Sequence, residues 1–106
     1  MSERKGLTSL KKGEQIPVEG NWLILFSSEG CGPCKPCKDI LEKIYSGWPG
    51  ANFLLVDTTV HPRIVMSLSI RAVPTTIFVK EGIEQSTRIM GVFSKRGIED
   101  TLKRIF

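Results

Sequence analysis

The run Trp22-Leu23-Ile24-Leu25-Phe26 is the longest continuous apolar segment of the chain, and it constrains the fold more than any other feature. It is far too short to cross a bilayer, which takes about 20 residues in a helix. Apolar at every position rather than at alternate ones, and followed by a Ser-Ser-Glu-Gly loop, it reads as a β-strand buried on both faces. Such a strand needs other structure packed on each side of it. The chain has 106 residues, enough to bury about 60% of the surface exposed on unfolding and so to form one core. Hydrophobic residues at 41% and charged residues at 25% are ordinary for a globular domain and exclude a disordered chain or a disulfide-packed miniprotein. No repeat, low-complexity tract or linker interrupts it, so residues 1–106 are read as one domain.

The 15 basic residues outnumber the 11 acidic ones, but they are scattered, as at Arg4, Lys11, Lys35, Arg71, Arg88 and Lys103, and interleaved with acids. A nucleic-acid footprint would need a basic stripe with stacking aromatics, so a solvated surface is expected, with neither a nucleic acid nor a membrane as partner. The opening Met-Ser-Glu-Arg-Lys lacks the apolar stretch of a secretory signal, which leads to the expectation of a cytoplasmic protein. Structural disulfides are uncommon in that compartment. A close cysteine pair there is catalytic, redox-active or metal-binding.

The first twenty residues are polar and broken by glycine; Leu7, Leu10 and Ile16 are their candidate core contacts, in a short strand or helical turn. After Cys31-Gly32-Pro33-Cys34, the positions Cys37, Ile40, Leu41, Ile44 and Trp48 follow the spacing of one helical face. Gly47, Pro49 and Gly50 end that helix, and Phe53-Leu-Leu-Val56 gives a second buried strand closed by Asp57. Pro62 suits the first turn of a short helix turning Ile64, Val65 and Leu68 inward. Thr75–Val79, the turn Lys80-Glu-Gly-Ile83 and the stretch to Met90 form a hairpin. Ser94 caps a final helix with Ile98, Leu102, Ile105 and Phe106 on one face. The sum is an α/β chain: a mixed sheet of four to five strands with helices on both faces.

The cysteine motif lies between a buried strand and a helix start. Unpaired amides and the positive end of the helix dipole favour a thiolate there, which makes Cys31 the candidate nucleophile. Two intervening residues in a turn bring Cys34 within reach, so that it can resolve a mixed disulfide on Cys31. Gly32 lets the chain turn and leaves the attacking sulfur open; Pro33 stiffens the turn where an amide hydrogen is least needed. A zinc site would need two further ligands, and His61 is the only histidine. With no second candidate base, His61 reads as structural or surface. Trp22 and Trp48 read as core anchors. Lys35 and Lys38 can raise the thiolate content or simply sit on a solvated face, and Glu29 would act in the opposite sense.

Trp22 to Cys34 followed by a helix, Asp57 at the end of the next strand, Arg71-Ala-Val-Pro74-Thr75, the turn at Gly82, Gly91 and the C-terminal helix together resemble the thioredoxin family, over about residues 20–106. The resemblance implies that Pro74 is a cis proline packed against the disulfide and that the Val73 backbone pairs with an extended substrate segment. It also implies a small, apolar surface around the cysteines. By that likeness, position by position, it would comprise Gly30, Gly32, Pro33, Val56, Ala72, Val73, Pro74, Met90, Gly91 and Val92. Val56 fits the core equally well.

The chain departs from the family at three places. Gly30 and Ser27 stand where family members carry aromatics, which implies a flatter, more mobile rim and a different fit to the reductase. Leu25 and Phe53 replace a buried aspartate and its frequent lysine partner, so Cys34 is expected to lose its proton through water or the Cys31 thiolate, without an internal carboxylate. Cys37 extends the motif to C-x-x-C-x-x-C. It lies on the apolar helical face and reads as a buried small hydrophobe rather than a third redox thiol or a cluster ligand.

The leading expectation is a monomeric protein disulfide reductase with no bound cofactor or metal. It would act on protein disulfides and be recharged by a thioredoxin reductase. The alternatives are a glutaredoxin-like or oxidising disulfide exchanger and a non-catalytic binding module.

Overall fold

The computed structural model describes residues 7–106. Its elements in chain order are β1 (Leu7–Ser9), β2 (Trp22–Ser27), α1 (Cys34–Ile44), β3 (Asn52–Asp57), α2 (Pro62–Ser67), β4 (Thr75–Lys80), β5 (Ile83–Met90) and α3 (Lys95–Ile105), with a 3₁₀ turn at Tyr45–Gly47. All of β2 is buried because it is the middle strand of the five-stranded order β1-β3-β2-β4-β5. It pairs in parallel with β3, Leu25 opposite Leu55, and antiparallel with β4, Leu25 opposite Thr76. β1 joins in parallel at the outer edge of β3, and β5 closes the other edge antiparallel to β4. The sheet is therefore mixed, as the helical crossovers and the late hairpin require.

Alternate residues of β2 feed two cores. Leu23 and Leu25 face Phe53, Phe78, Cys37, Leu41 and Ile44 of α1, and Ile98 and Leu102 of α3. Ile24 and Phe26 face Leu54, Val56 and Ile77, with Ile64, Val65 and Leu68 partly buried against them. Helices thus cover both faces, α1 and α3 on one and α2 on the other. Leu7 packs on the first core, while Leu10 lies in the second with Ile16 beside it; the part of that expectation covering Met1–Gly6 falls outside the described residues. Trp22 is in the second core and donates its Nε1 proton to the Glu19 carbonyl at 2.8 Å. Trp48 packs partly buried on the first.

Local chemistry explains the boundaries. Pro33 is the residue just before α1, and Pro36 follows inside its first turn, where an amide would have no acceptor within the helix. Pro62 opens α2. The Ser94 side chain accepts from the Gly97 amide at 3.0 Å, a cap worth about 1 kcal/mol. In the β4–β5 hairpin, Lys80 pairs with Ile83 across Glu81 (φ 52°) and Gly82 (φ 83°), the two positive φ values that a type I′ turn demands.

Candidate active site

The ends of four strands converge. Phe26 lies opposite Thr75, Ser27 opposite Asp57 and Thr75 opposite Met90. The loop leaving β2 for α1 therefore carries Cys31 past the same end of the sheet that bears Pro74, Met90 and Gly91. The Val73–Pro74 bond is cis, and the Gly91 amide donates to the Pro74 carbonyl at 2.8 Å, tying β5 to that turn. Gly91 has φ 98°, a conformation open to glycine and strained for a side chain.

Cys31 and Cys34 form a disulfide with Cα atoms 5.4 Å apart, inside the range for unforced bridging. The turn that joins them is held by the Cys31 amide donating to the Ser28 carbonyl at 3.2 Å and the Cys34 amide donating to the Cys31 carbonyl at 3.3 Å. The two sulfurs differ in access. Cys34 is 1% exposed, while Cys31 is only half-buried. The first turn of α1 holds no acidic residue and no side-chain cap, so no carboxylate within that turn offsets the effect of its amides and dipole on the cysteine pair. Lys35 pairs at 3.9 Å with Asp39 on an exposed face, which fits the solvated reading.

Around the pair, Gly30, Gly32, Pro33, Ala72, Met90 and Val92 are exposed, Val73 and Gly91 partly so, and Pro74 is buried. Met90 and Val92 are among the most exposed large apolar side chains, at 76% and 56%. Val56, which the sequence left between groove and core, is fully buried in the second core. Leu25 and Phe53 are fully buried in the first, so no carboxylate or lysine replaces them at those positions. Asp57, which marked only a strand end in the sequence, accepts from the Thr59 amide at 2.9 Å and the Thr59 hydroxyl at 2.7 Å. These bonds hold its carboxyl below the ordinary aspartate range. His61 is buried, and its Nε2 lies 3.0 Å from the Leu10 carbonyl. A carbonyl only accepts, so Nε2 carries the proton, and the histidine pins the start of α2 to the chain after β1.

Cys37 is a buried free thiol. Burial pushes its pKa up against a smaller opposing effect of a backbone hydrogen bond with Phe93. In the oxidised protein it should react with Ellman's reagent only as fast as the chain opens, and at once in denaturant; rapid labelling of the native state would contradict this placement. Its raised pKa means that its contribution to stability is present below the unfolded thiol pKa of about 8.5 and is lost as pH rises above it. Cys37→Ala should flatten that alkaline decline, measured by urea unfolding between pH 7 and 10.

The match to the thioredoxin family model spans residues 10–104. Thioredoxin of Chlamydia trachomatis is 39% identical over 67 residues, which cover 63% of this chain and 66%, just under two thirds, of that protein. Thioredoxin AMT13 of Alternaria alternata is 30% identical over 109 residues, covering 97% of this chain and 90% of that one. The crystal structure of oxidised mitochondrial thioredoxin 3 from Saccharomyces cerevisiae superposes with a TM-score of 0.74 at 26% identity, over 82% of this chain and 80% of that one. The fold built from β2 outward, the cysteine pair at the head of α1 and the sequence match agree, and the chain belongs to the thioredoxin family.

Proposed function

We propose that the protein is a disulfide reductase acting by thiol–disulfide exchange. The observation that carries this reading is the unequal access of a joined pair: Cys31 reaches solvent while Cys34 is 1% exposed. In the reduced protein the Cys31 thiolate attacks a substrate disulfide, forming a mixed disulfide and releasing one substrate thiolate. The Cys34 sulfur then attacks Cys31, forming the intramolecular disulfide and releasing the second substrate thiol. Two electrons pass from the protein's thiols to the substrate, on sulfur throughout, so no bound organic cofactor is invoked. A thioredoxin reductase recharges the pair.

The partly exposed Val73 and the open positions Gly30, Met90, Gly91 and Val92 around it support a groove in which an extended substrate pairs with the Val73 backbone. Such strand addition gives affinity with little demand on sequence. The same reading places the protein in the cytoplasm, as a monomer and electron carrier. Reduction of insulin by dithiothreitol, followed as turbidity, tests the activity. Acceleration by the protein is expected, and a rate equal to dithiothreitol alone would contradict it.

A further inference from the structure

We propose that the Thr76 hydroxyl is the hydrogen-bonding partner of the Cys34 sulfur in the reduced protein, a positioning residue for the resolving step in a chain that has no buried carboxylate there. The inference rests on the disulfide-exchange reading above. It starts from an orphan: among the described residues, Thr76 Oγ1 is the one buried side-chain nitrogen or oxygen without a hydrogen-bond partner, in a residue that is 0% exposed. A buried hydroxyl left unpaired carries the desolvation cost of its polar group, which a valine of the same shape would not. Such a group calls for a state in which it is paired.

Its position says which state. Thr76 lies opposite Leu25 on β2 and opposite Ile89 on β5, so its side chain shares their sheet face. That face is the one α1 covers, through Cys37, Leu41 and Ile44. α1 starts just beyond the C-terminal end of β2 and runs back along the sheet. The row Leu55-Leu25-Thr76-Ile89 therefore lies nearer the cysteine end than the row Phe53-Leu23-Phe78. This puts the hydroxyl toward the first turn of α1, where Cys34 is buried. Its neighbour Thr75 is already satisfied, donating to the Ala72 carbonyl at 2.6 Å.

In the disulfide neither sulfur holds a proton or a charge, and the hydroxyl has nothing ionised to bind. Reduction frees the Cys34 sulfur in an apolar layer. A rotating hydroxyl can accept from its thiol and donate to its thiolate, directly or through one water. Leu25 and Phe53 can do neither. When Cys34 attacks the mixed disulfide, its S–H proton ends on the departing substrate thiol and the new bond is Cys31–Cys34. Thr76 gains and loses only a hydrogen bond.

The test compares Thr76→Val and Thr76→Ser in the full chain. In Thr76→Val the oxidised protein should be at least as stable to denaturant as the parent. Its equilibrium with glutathione should shift about tenfold toward the disulfide, or about 30 mV more negative, because the reduced state alone loses a bond. Release of thionitrobenzoate from a Cys31 mixed disulfide should slow about tenfold, a modest share of a typical acid–base contribution. Alkylation of Cys31 by iodoacetamide should be unchanged, and Thr76→Ser should keep the parental potential. A parental potential and release rate in Thr76→Val, or an equal shift in Thr76→Ser, would overturn the proposal. Failure of the parent protein to reduce insulin would instead strike the functional reading, since the potential of the cysteine pair is measurable without any protein substrate.

Discussion

Replacing Cys31 with serine is expected to reduce the rate of insulin reduction by at least about 10³-fold, to the level of uncatalysed exchange. A serine hydroxyl at the head of α1 stays protonated at neutral pH and cannot form the covalent link to sulfur on which the second step depends. The buried partner cannot take over, because Cys34 is 1% exposed and a protein disulfide cannot reach it. The fold should survive, since Cys31 lies in a surface loop outside both cores. Cys34→Ser should behave differently: its first attack proceeds and its turnover stops. A covalent complex with the substrate on Cys31→Ser, or none on Cys34→Ser, seen by non-reducing electrophoresis after an acid quench, would show that the sulfurs do not have the distinct roles assigned to them.

The second large effect concerns stability. Leu25→Asp restores the family's carboxylate without its partner, in a site where both Leu25 and Phe53 are 0% exposed. A lone buried charge of this kind costs about 3–5 kcal/mol, or roughly 15–30 °C in Tm for a domain of this size. Desolvation raises the carboxyl pKa of the folded variant. The folded state then holds a proton that the unfolded chain has released, so the deficit is largest at neutral pH. It shrinks as pH falls toward the unfolded aspartate value of about 3.9. Adding Phe53→Lys should recover part of the loss, because positions 25 and 53 are diagonal neighbours on one sheet face. Urea unfolding of the single and double variants at pH 7 and pH 4 measures both effects. A loss that is independent of pH, or that the lysine does not relieve, would mean that the site is wetter than its burial implies.

What the residues disclosed on their own follows from range. The central strand was legible because five consecutive apolar residues have one structural use, and α1 because its buried positions recur at helical spacing, which also placed Cys37 correctly inside. The hairpin turn at Glu81-Gly82 and the Ser94 cap are local chemistry, legible in a few consecutive residues. β1 was only half legible: three residues carry too little pattern, and their pairing with β3 is set by chain more than forty positions away. The cis bond at Pro74 came from family likeness alone, since nothing in Ala-Val-Pro-Thr demands it. Val56 stayed undecided because a strand buried on both faces shows no alternation. The hydrogen bond from His61 to Leu10 spans 51 positions, and a threonine in an apolar strand looks like any good β-former, so the orphan hydroxyl of Thr76 was invisible.

The central claim is that one accessible sulfur takes the substrate while its buried neighbour waits. Mixing reduced Cys34→Ser protein with a protein disulfide, quenching with acid and mapping the covalent complex by mass spectrometry tests it most directly. The substrate should be found joined to Cys31, with Cys37 unmodified. A complex joined through Cys37, or no covalent complex at all, would contradict it.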